Sequence, residues 1–404
     1  MKKQLLKVSL ILFSLFILIP SEKRGILVIL FALITIITSP QRPKLKTLKL
    51  FVINALPFIV YLLSLVLYFD PEQTPKKLET GLSIIVLPLI FAITNKEIFN
   101  KKFEILMQKA FVFSAVLLSL IILSYFLYLG YFTGAKTYGY CLSKLTNKLP
   151  LLADHPIYIS IALSVSILFS YNIYLNINKY YEKLILLIAV FIVFATILFL
   201  SRRGPVFALC LALIPVFYKL YKSSNRKSLL MKLGIGAIVS AITIILLVKP
   251  INKRVIEVLN PKTYAEKNET NSTNNRIQIY KCAVELIKEK PILGYGIGRD
   301  RKELYDCYKE NLYYLYENKF NTHNQYLSIM LRFGFLGFVV FSFFLYYNFR
   351  IAIRLQSTTL LSILIFYTIN FLFENVMERQ NGIILFAFLI NYYAFMISEG
   401  DSTS

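Results

Sequence analysis

The sequence predicts an all-α, polytopic transmembrane protein of about twelve membrane helices, interrupted by one long, partly helical loop on the outer side. Composition is the first observation behind this: of 404 residues, 57% are hydrophobic and only 17% charged, and the mean hydropathy is +0.61. Water-soluble chains run nearer half apolar and a quarter charged, so lipid has to cover the excess. Spacing is the second. Uncharged apolar runs lie at 5–20, 25–40, 48–69, 80–94, 107–132, 156–175, 184–201, 204–221, 233–248, 326–347, 357–373 and 382–398. A span needs roughly 20 such residues. The runs at 80–94 and 233–248 are short and call for tilt, local thinning or flanking residues. The third observation is where charge sits. Forty-five Lys and Arg against 22 Asp and Glu leave +23, and the basic residues concentrate in alternate loops, such as Lys2, Lys3 and Lys7, then Arg42, Lys44, Lys46 and Lys49. By the positive-inside rule these loops and both termini are cytoplasmic. The basic balance is thus a topology signal with anionic lipid contact as its by-product, and nucleic acid is not expected as a partner.

Taken in order, the first run follows Lys2 and Lys3 as a secretory signal would, but no A-x-A-like site follows Pro20, so it counts as the first helix. Arg202 and Arg203 occupy a minimal turn between the seventh and eighth runs. Residues 249–325 then form an outer loop that divides the chain into membrane helices over 1–248, a loop domain, and the last three helices with a tail over 326–404. Loops of this length are usually functional or disordered. Disorder fits EKNETNSTNN at 266–275, which has no apolar residue. Beyond it Ile277, Tyr280, Val284 and Ile287 recur at helical spacing until Pro291 stops them. The glycine turn LGYGIG follows at 293–298, then a second helix through Glu303–Tyr316, and a short segment leads through Asn321, Thr322 and His323 into the tenth helix. The loop therefore predicts a helical hairpin lying over the membrane. Cys282 and Cys307 fall on its two arms, where a disulfide is geometrically possible. Cys210 reads as a small packed residue, and Cys141 as an outer-loop residue that can stay free.

Chemistry has few candidates. The two histidines, His155 and His323, both fall at the outer boundary. His155, beside Pro156, reads first as a cap or local hydrogen bond. His323 is the imidazole of the large outer segment, and an ordinary pKa of about 6.5 suits it to take a proton from a hydroxyl. Two adjacent guanidinium groups between charge-free helices are expensive unless an anion meets them, which singles out Arg202 and Arg203. Arg276 opens the loop helix, where backbone N–H groups and a guanidinium together suit a phosphate. Glu374 and Glu378 are one helical turn apart and could pair with a basic residue or seat a sugar. H-E-x-x-H, paired C-x-x-C and D-x-D are absent, so neither metal nor cofactor is expected. GYGIG follows a helix and lacks the P-loop lysine, which rules out a nucleotide loop.

The ordered set S-R-R-G, R-x-x-x-Y, K-P-I-L-G-Y-G-I-G and T-H-N-Q-Y-L resembles the O-antigen ligase and polymerase family, over most of the chain from about residue 150 and most strongly over 276–337. The resemblance implies an enzyme of the bacterial inner membrane that works on the periplasmic side. It would take a glycan from undecaprenyl pyrophosphate and pass it to an acceptor sugar hydroxyl, without metal or nucleotide. His323 corresponds to the family's loop histidine, Arg276 to the arginine opening the loop helix, and Arg202 or Arg203 to the arginine between membrane helices, with Ser201-Arg202 the better match. His155, Asn324, Glu374 and Glu378 are candidates for acceptor or sugar contacts. A ligase with lipid A-core as acceptor is preferred to a polymerase joining lipid-linked repeats. A flippase or transporter gripping the same pyrophosphate is the competing class, and a structural scaffold the last.

Overall fold

The computed structural model describes residues 2–38, 43–66, 68–148, 154–223 and 272–397. The expected helix at 233–248, the domain boundary at 248 and the polar run from 266 to 271 lie outside the described residues. The helices are α1 (Lys2–Ser14), α2 (Gly25–Thr38), α3 (Leu45–Ser64), α4 (Gln73–Gly81), α5 (Ser83–Ile93), α6 (Lys101–Tyr128), α7 (Tyr138–Lys148), α8 (Pro156–Leu175), α9 (Tyr180–Phe199), α10 (Arg203–Ala212) and α11 (Ile214–Ser223). After the undescribed stretch come α12 (Ser272–Glu289), α13 (Arg299–Asn311), α14 (Tyr313–Glu317), α15 (Gln325–Arg354), α16 (Thr358–Asn370) and α17 (Gln380–Ile397).

Among the described residues, six helices are long and apolar enough to cross a membrane: α3, α6, α8, α9, the α10–α11 pair read as Arg203–Lys222, and α15. Among the described residues the expected count of about twelve full spans is not shown. α5 has only 11 residues and α1 only 13, which at 1.5 Å per residue is about 16–20 Å against a hydrocarbon core of about 30 Å. The run at 204–221 is broken at Leu213 because Pro215 has no N–H to continue the ladder. Burial sorts the long helices. In its most apolar window α8 is 89% buried and α9 28%. α8 is therefore a central post, whereas α9 turns Ile185, Ile188 and Phe191 outward as a lipid-facing helix. Amide side chains bind the interior helices, with Asn54 donating to Asn391 at 2.8 Å and accepting from Asn348 at 2.9 Å across α3, α17 and α15. Such amide contacts are typical glue between membrane helices. Cys210, expected to be packed, is exposed on α10, while Cys141 is buried on α7.

The expected hairpin is α12 against α13, joined by a Cys282–Cys307 disulfide. Its core holds Ile279, Cys282, Ala283, Leu286, Tyr295, Leu304 and Tyr308. This face is rotated from the expected one: Val284 is 40% exposed, because α13 meets the Ile279–Leu286 side and leaves Tyr280 to turn toward the membrane helices. The second arm also breaks at Leu312, dividing the expected Glu303–Tyr316 helix into α13 and α14.

The glycine turn has a structural task. α15 is kinked at Gly334, whose φ of 61° and ψ of −162° fall in a region essentially confined to glycine. The kink frees carbonyls, and the turn meets them: Tyr295 N donates to Leu331 O at 2.9 Å and Gly296 N to Arg332 O at 2.8 Å. In return Phe335 N donates to Pro291 O at 2.7 Å. A Cβ on Gly334 would strike the Ile292 carbonyl. Gly334→Ala is therefore expected to cost at least about 1–3 kcal/mol, from backbone strain before the clash is counted. Thermal unfolding in detergent checks this, and an unchanged melting temperature would contradict the strap.

Candidate active site at one end of the bundle

One end of the bundle collects the N-terminus of α8, the α9–α10 turn, the start of α12 and the segments before α15 and α17. At the α9–α10 turn Ser201 takes a positive φ of 53° and Arg202 caps α10 in an extended conformation. Gly204 explains the tightness of S-R-R-G: a Cβ there would lie 2.8 Å from the Cβ of Phe373. The arginine turn thus packs directly beside the residue preceding Glu374. Arg203 reaches Thr273 Oγ1 on the first turn of α12 at 3.5 Å, and Arg276 follows on the next turn.

The residues around His323 are spent on holding it. Asn321 Oδ1 accepts from His323 N at 3.0 Å, and Thr322, buried, is bonded to Asn375. Asn324 Oδ1 caps α15 by accepting from Tyr326 N and Leu327 N, so that acceptor is committed to structure. Gln325 ties the segment to the 371–377 turn, N donating to Phe371 O at 2.7 Å and Oε1 accepting from Met377 N at 2.8 Å. Held this way, His323 sits at φ 44°, a left-handed conformation that histidine tolerates better than most residues. Tyr280 of α12 closes one side, its hydroxyl reaching His323 O at 3.5 Å and Leu372 O at 3.4 Å.

His323 Nδ1 lies 3.2 Å from Glu374 Oε2, with the imidazole side chain 23% exposed and the carboxylate 9%. Burial alone would raise the Glu374 carboxyl. The hydrogen bond and charge of His323, with His155 and Arg276 behind it, outweigh that and hold it below its ordinary value. A carboxylate only accepts, so in the neutral ring Nδ1 carries the proton and Nε2 keeps its lone pair. The pair sets a buried carboxylate against a partly exposed imidazole.

These elements hold the pattern of a known family. Residues 188–342 match the family model described as O-antigen ligase. This stretch is similar to an O-antigen ligase domain. Proteins of that family are membrane enzymes that transfer glycans. Comparison with curated proteins found no match.

The matched stretch contains Arg202, Arg203, Arg276 and His323, while His155, Glu374 and Glu378 lie outside it. Glu374 and Glu378 do not share a helix turn: Glu374 ends the turn after α16, and Glu378 ends a 3-10 turn at Val376–Glu378. Their environments differ accordingly. Glu378 is buried and bonded to Arg332, to Arg301 at 2.8 Å, to Lys77 at 2.5 Å and to Ser328 at 3.2 Å. Arg332 in turn holds Asp300 at 2.6 and 2.8 Å, so this network ties α4, α13 and α15 to the 376–378 turn. The pairing of His323 with Glu374 and of Arg332 with Asp300 was invisible in the sequence, since 51 and 32 residues separate the partners.

His155 caps α8, its Nδ1 accepting from Ile157 N at 3.4 Å. Burial first, then the Arg202 charge, lower its pKa from 6.5 to about 4. The unfolded chain thus binds a proton that the folded protein refuses between pH 6.5 and about 4. Stability from this group is complete above 6.5 and falls on acidification through that window. Melting temperatures measured across it should slope less in His155→Ser than in wild type. Parallel slopes would contradict the assignment.

Proposed function

We propose that this protein is an O-antigen ligase that transfers a glycan from undecaprenyl pyrophosphate to a sugar hydroxyl of lipid A-core oligosaccharide. The observation that carries the reading is the His323–Glu374 pair, whose glutamate directly follows the Phe373 that packs against Gly204 of the arginine turn. In the proposed reaction the acceptor hydroxyl gives its proton to His323 Nε2 and its oxygen attacks the anomeric carbon. The bond from that carbon to the pyrophosphate oxygen breaks, the oxygen keeping the electron pair. Attack and departure on opposite faces invert the anomeric centre. Charge grows on the pyrophosphate as the bond breaks, so Arg202, Arg203 and Arg276 bind the transition state more tightly than the ground state. The guanidinium groups meet this charge without metal or nucleotide. Of the two adjacent arginines, Arg202 is favoured as the anion ligand, because its charge reaches His155.

The location follows the same reading: a multi-pass protein of the bacterial inner membrane, both termini cytoplasmic and the site periplasmic. The loop charges support it, and so does the gathering at one end of every site element the charge rule puts outside. The test is transfer in proteoliposomes with a lipid-linked oligosaccharide and lipid A-core. A single upward step of the core band is expected. A ladder remaining on undecaprenyl pyrophosphate would make the protein a polymerase and overturn the ligase assignment.

A further inference from the structure

His155 has an environment that its capping role does not use up. The residue before it, Asp154, is buried and paired with the buried Arg24 at 2.5 Å. Asp154 Oδ1 also accepts from His155 N at 3.0 Å and from Asn381 Nδ2 at 3.3 Å. This anchors the start of the central α8 to the α1–α2 connection and to α17. One turn along the same face, Tyr158 donates to Asn375 O at 3.2 Å, beside Glu374, with the Arg379 guanidinium 5.8 Å from its ring centroid. Residues three apart share a helix face, so His155 stands above this contact, where Arg202, Glu374, Arg379 and His323 are the charged and titratable groups it senses.

The two imidazoles of the site are held in opposite tautomers. His323 Nδ1 donates to Glu374, leaving Nε2 as an acceptor. His155 Nδ1 accepts from the Ile157 amide, so its proton is on Nε2 and that nitrogen only donates. We propose that His155 is a substrate-contacting residue whose Nε2–H donates a hydrogen bond to an oxygen of the lipid pyrophosphate lying beside Arg202. A neutral donor there adds a directed contact without a further charge next to Arg202 and Arg379. It takes no proton in the reaction and gives none. The proposal rests on the reading of the site as a pyrophosphate-lipid transferase and adds a donor from outside the matched domain.

Two variants separate the contact from the cap. Serine and aspartate both cap helices well, so His155→Ser and His155→Asp keep the start of α8 but remove the distal donor, and aspartate sets a negative charge against the phosphate. Losing a hydrogen bond to a charged group predicts transfer reduced about 10- to 100-fold in His155→Ser, with more loss in His155→Asp. Inhibition by undecaprenyl pyrophosphate should weaken in the same order. The melting temperature of the aspartate variant should equal or exceed that of the serine variant, and the acceptor KM should not change. Wild-type rates in His155→Ser would reduce the residue to a cap and overturn the proposal, as would losses of activity that track losses of melting temperature. If wild type itself transfers nothing, the transferase reading has failed. Equilibrium binding of undecaprenyl pyrophosphate then decides for His155: weaker binding by both variants is expected, and equal binding overturns the contact.

Discussion

Replacing His323 with alanine is expected to lower glycan transfer by about 10² to 10⁴-fold, the usual worth of a general base, while the protein stays folded and inserted. The fold should tolerate the change because the segment is held by groups other than the ring: Asn321, Thr322, Asn324 and Gln325 make the bonds that fix it. The loss should lie in kcat more than in donor binding, since the pyrophosphate is assigned to the arginines. Glu374→Gln is the graded companion. An amide oxygen still accepts from Nδ1 and preserves the tautomer, but the charge that supports a protonated imidazole in the transition state is gone. Its loss should be smaller than that of His323→Ala. Single-turnover transfer with saturating donor separates the two, and a His323→Ala rate within twofold or so of wild type would exclude the histidine from the proton transfer.

Arg332→Ala is expected to destabilise the protein by about 3–5 kcal/mol, the cost of stripping one partner from a buried ion network. Arg332 is 2% exposed and is the group that engages both Asp300 and Glu378. Its loss leaves Asp300, also 2% exposed, with the Gly298 amide as its remaining described hydrogen bond, at 3.1 Å. Glu378 keeps Lys77 and Arg301. A second change, Asp300→Asn, removes the stranded charge and should recover part of the loss. Denaturation in detergent of both single variants and the double variant measures the coupling, and additive effects would contradict a shared network. Burial would raise the Glu378 carboxyl, but Arg332 foremost, with Lys77 and Arg301, holds it well below its ordinary 4.5. Its folded value is depressed, so its stabilisation is present above about 4.5 and is lost as pH falls toward the folded value.

The membrane character and the outer hairpin were legible because lipid demands long apolar runs and because Pro291 and the glycine turn punctuate the loop. Helix lengths were less so. An apolar run such as 204–221 does not reveal that Pro215 splits it, and hydrophobicity at 80–94 does not show that the helix spans only Ser83–Ile93. His323, Arg202 and Arg276 were recognisable because a charge or an imidazole beside apolar helices stands out. Glu374 was noticed as a charge but misassigned to a helix turn with Glu378, since spacing alone cannot tell a turn from a helix. Its partner lies 51 residues away in the chain, and only the packing of the 321–325 segment against the 371–377 turn brings the two together. GYGIG stands out in the sequence as a glycine turn. Its actual task, meeting the carbonyls freed at Gly334, depends on a kink that no periodicity announces.

The central claim is that this site breaks the bond to pyrophosphate rather than carrying the lipid-linked glycan across the membrane. The most direct test is to mix purified wild type in vesicles with a lipid-linked oligosaccharide and measure free undecaprenyl pyrophosphate with and without lipid A-core. One pyrophosphate lipid is expected to be released per glycan transferred, only when acceptor is present, and almost none from His323→Ala. Donor that crosses the bilayer intact, with no pyrophosphate lipid released, would contradict it.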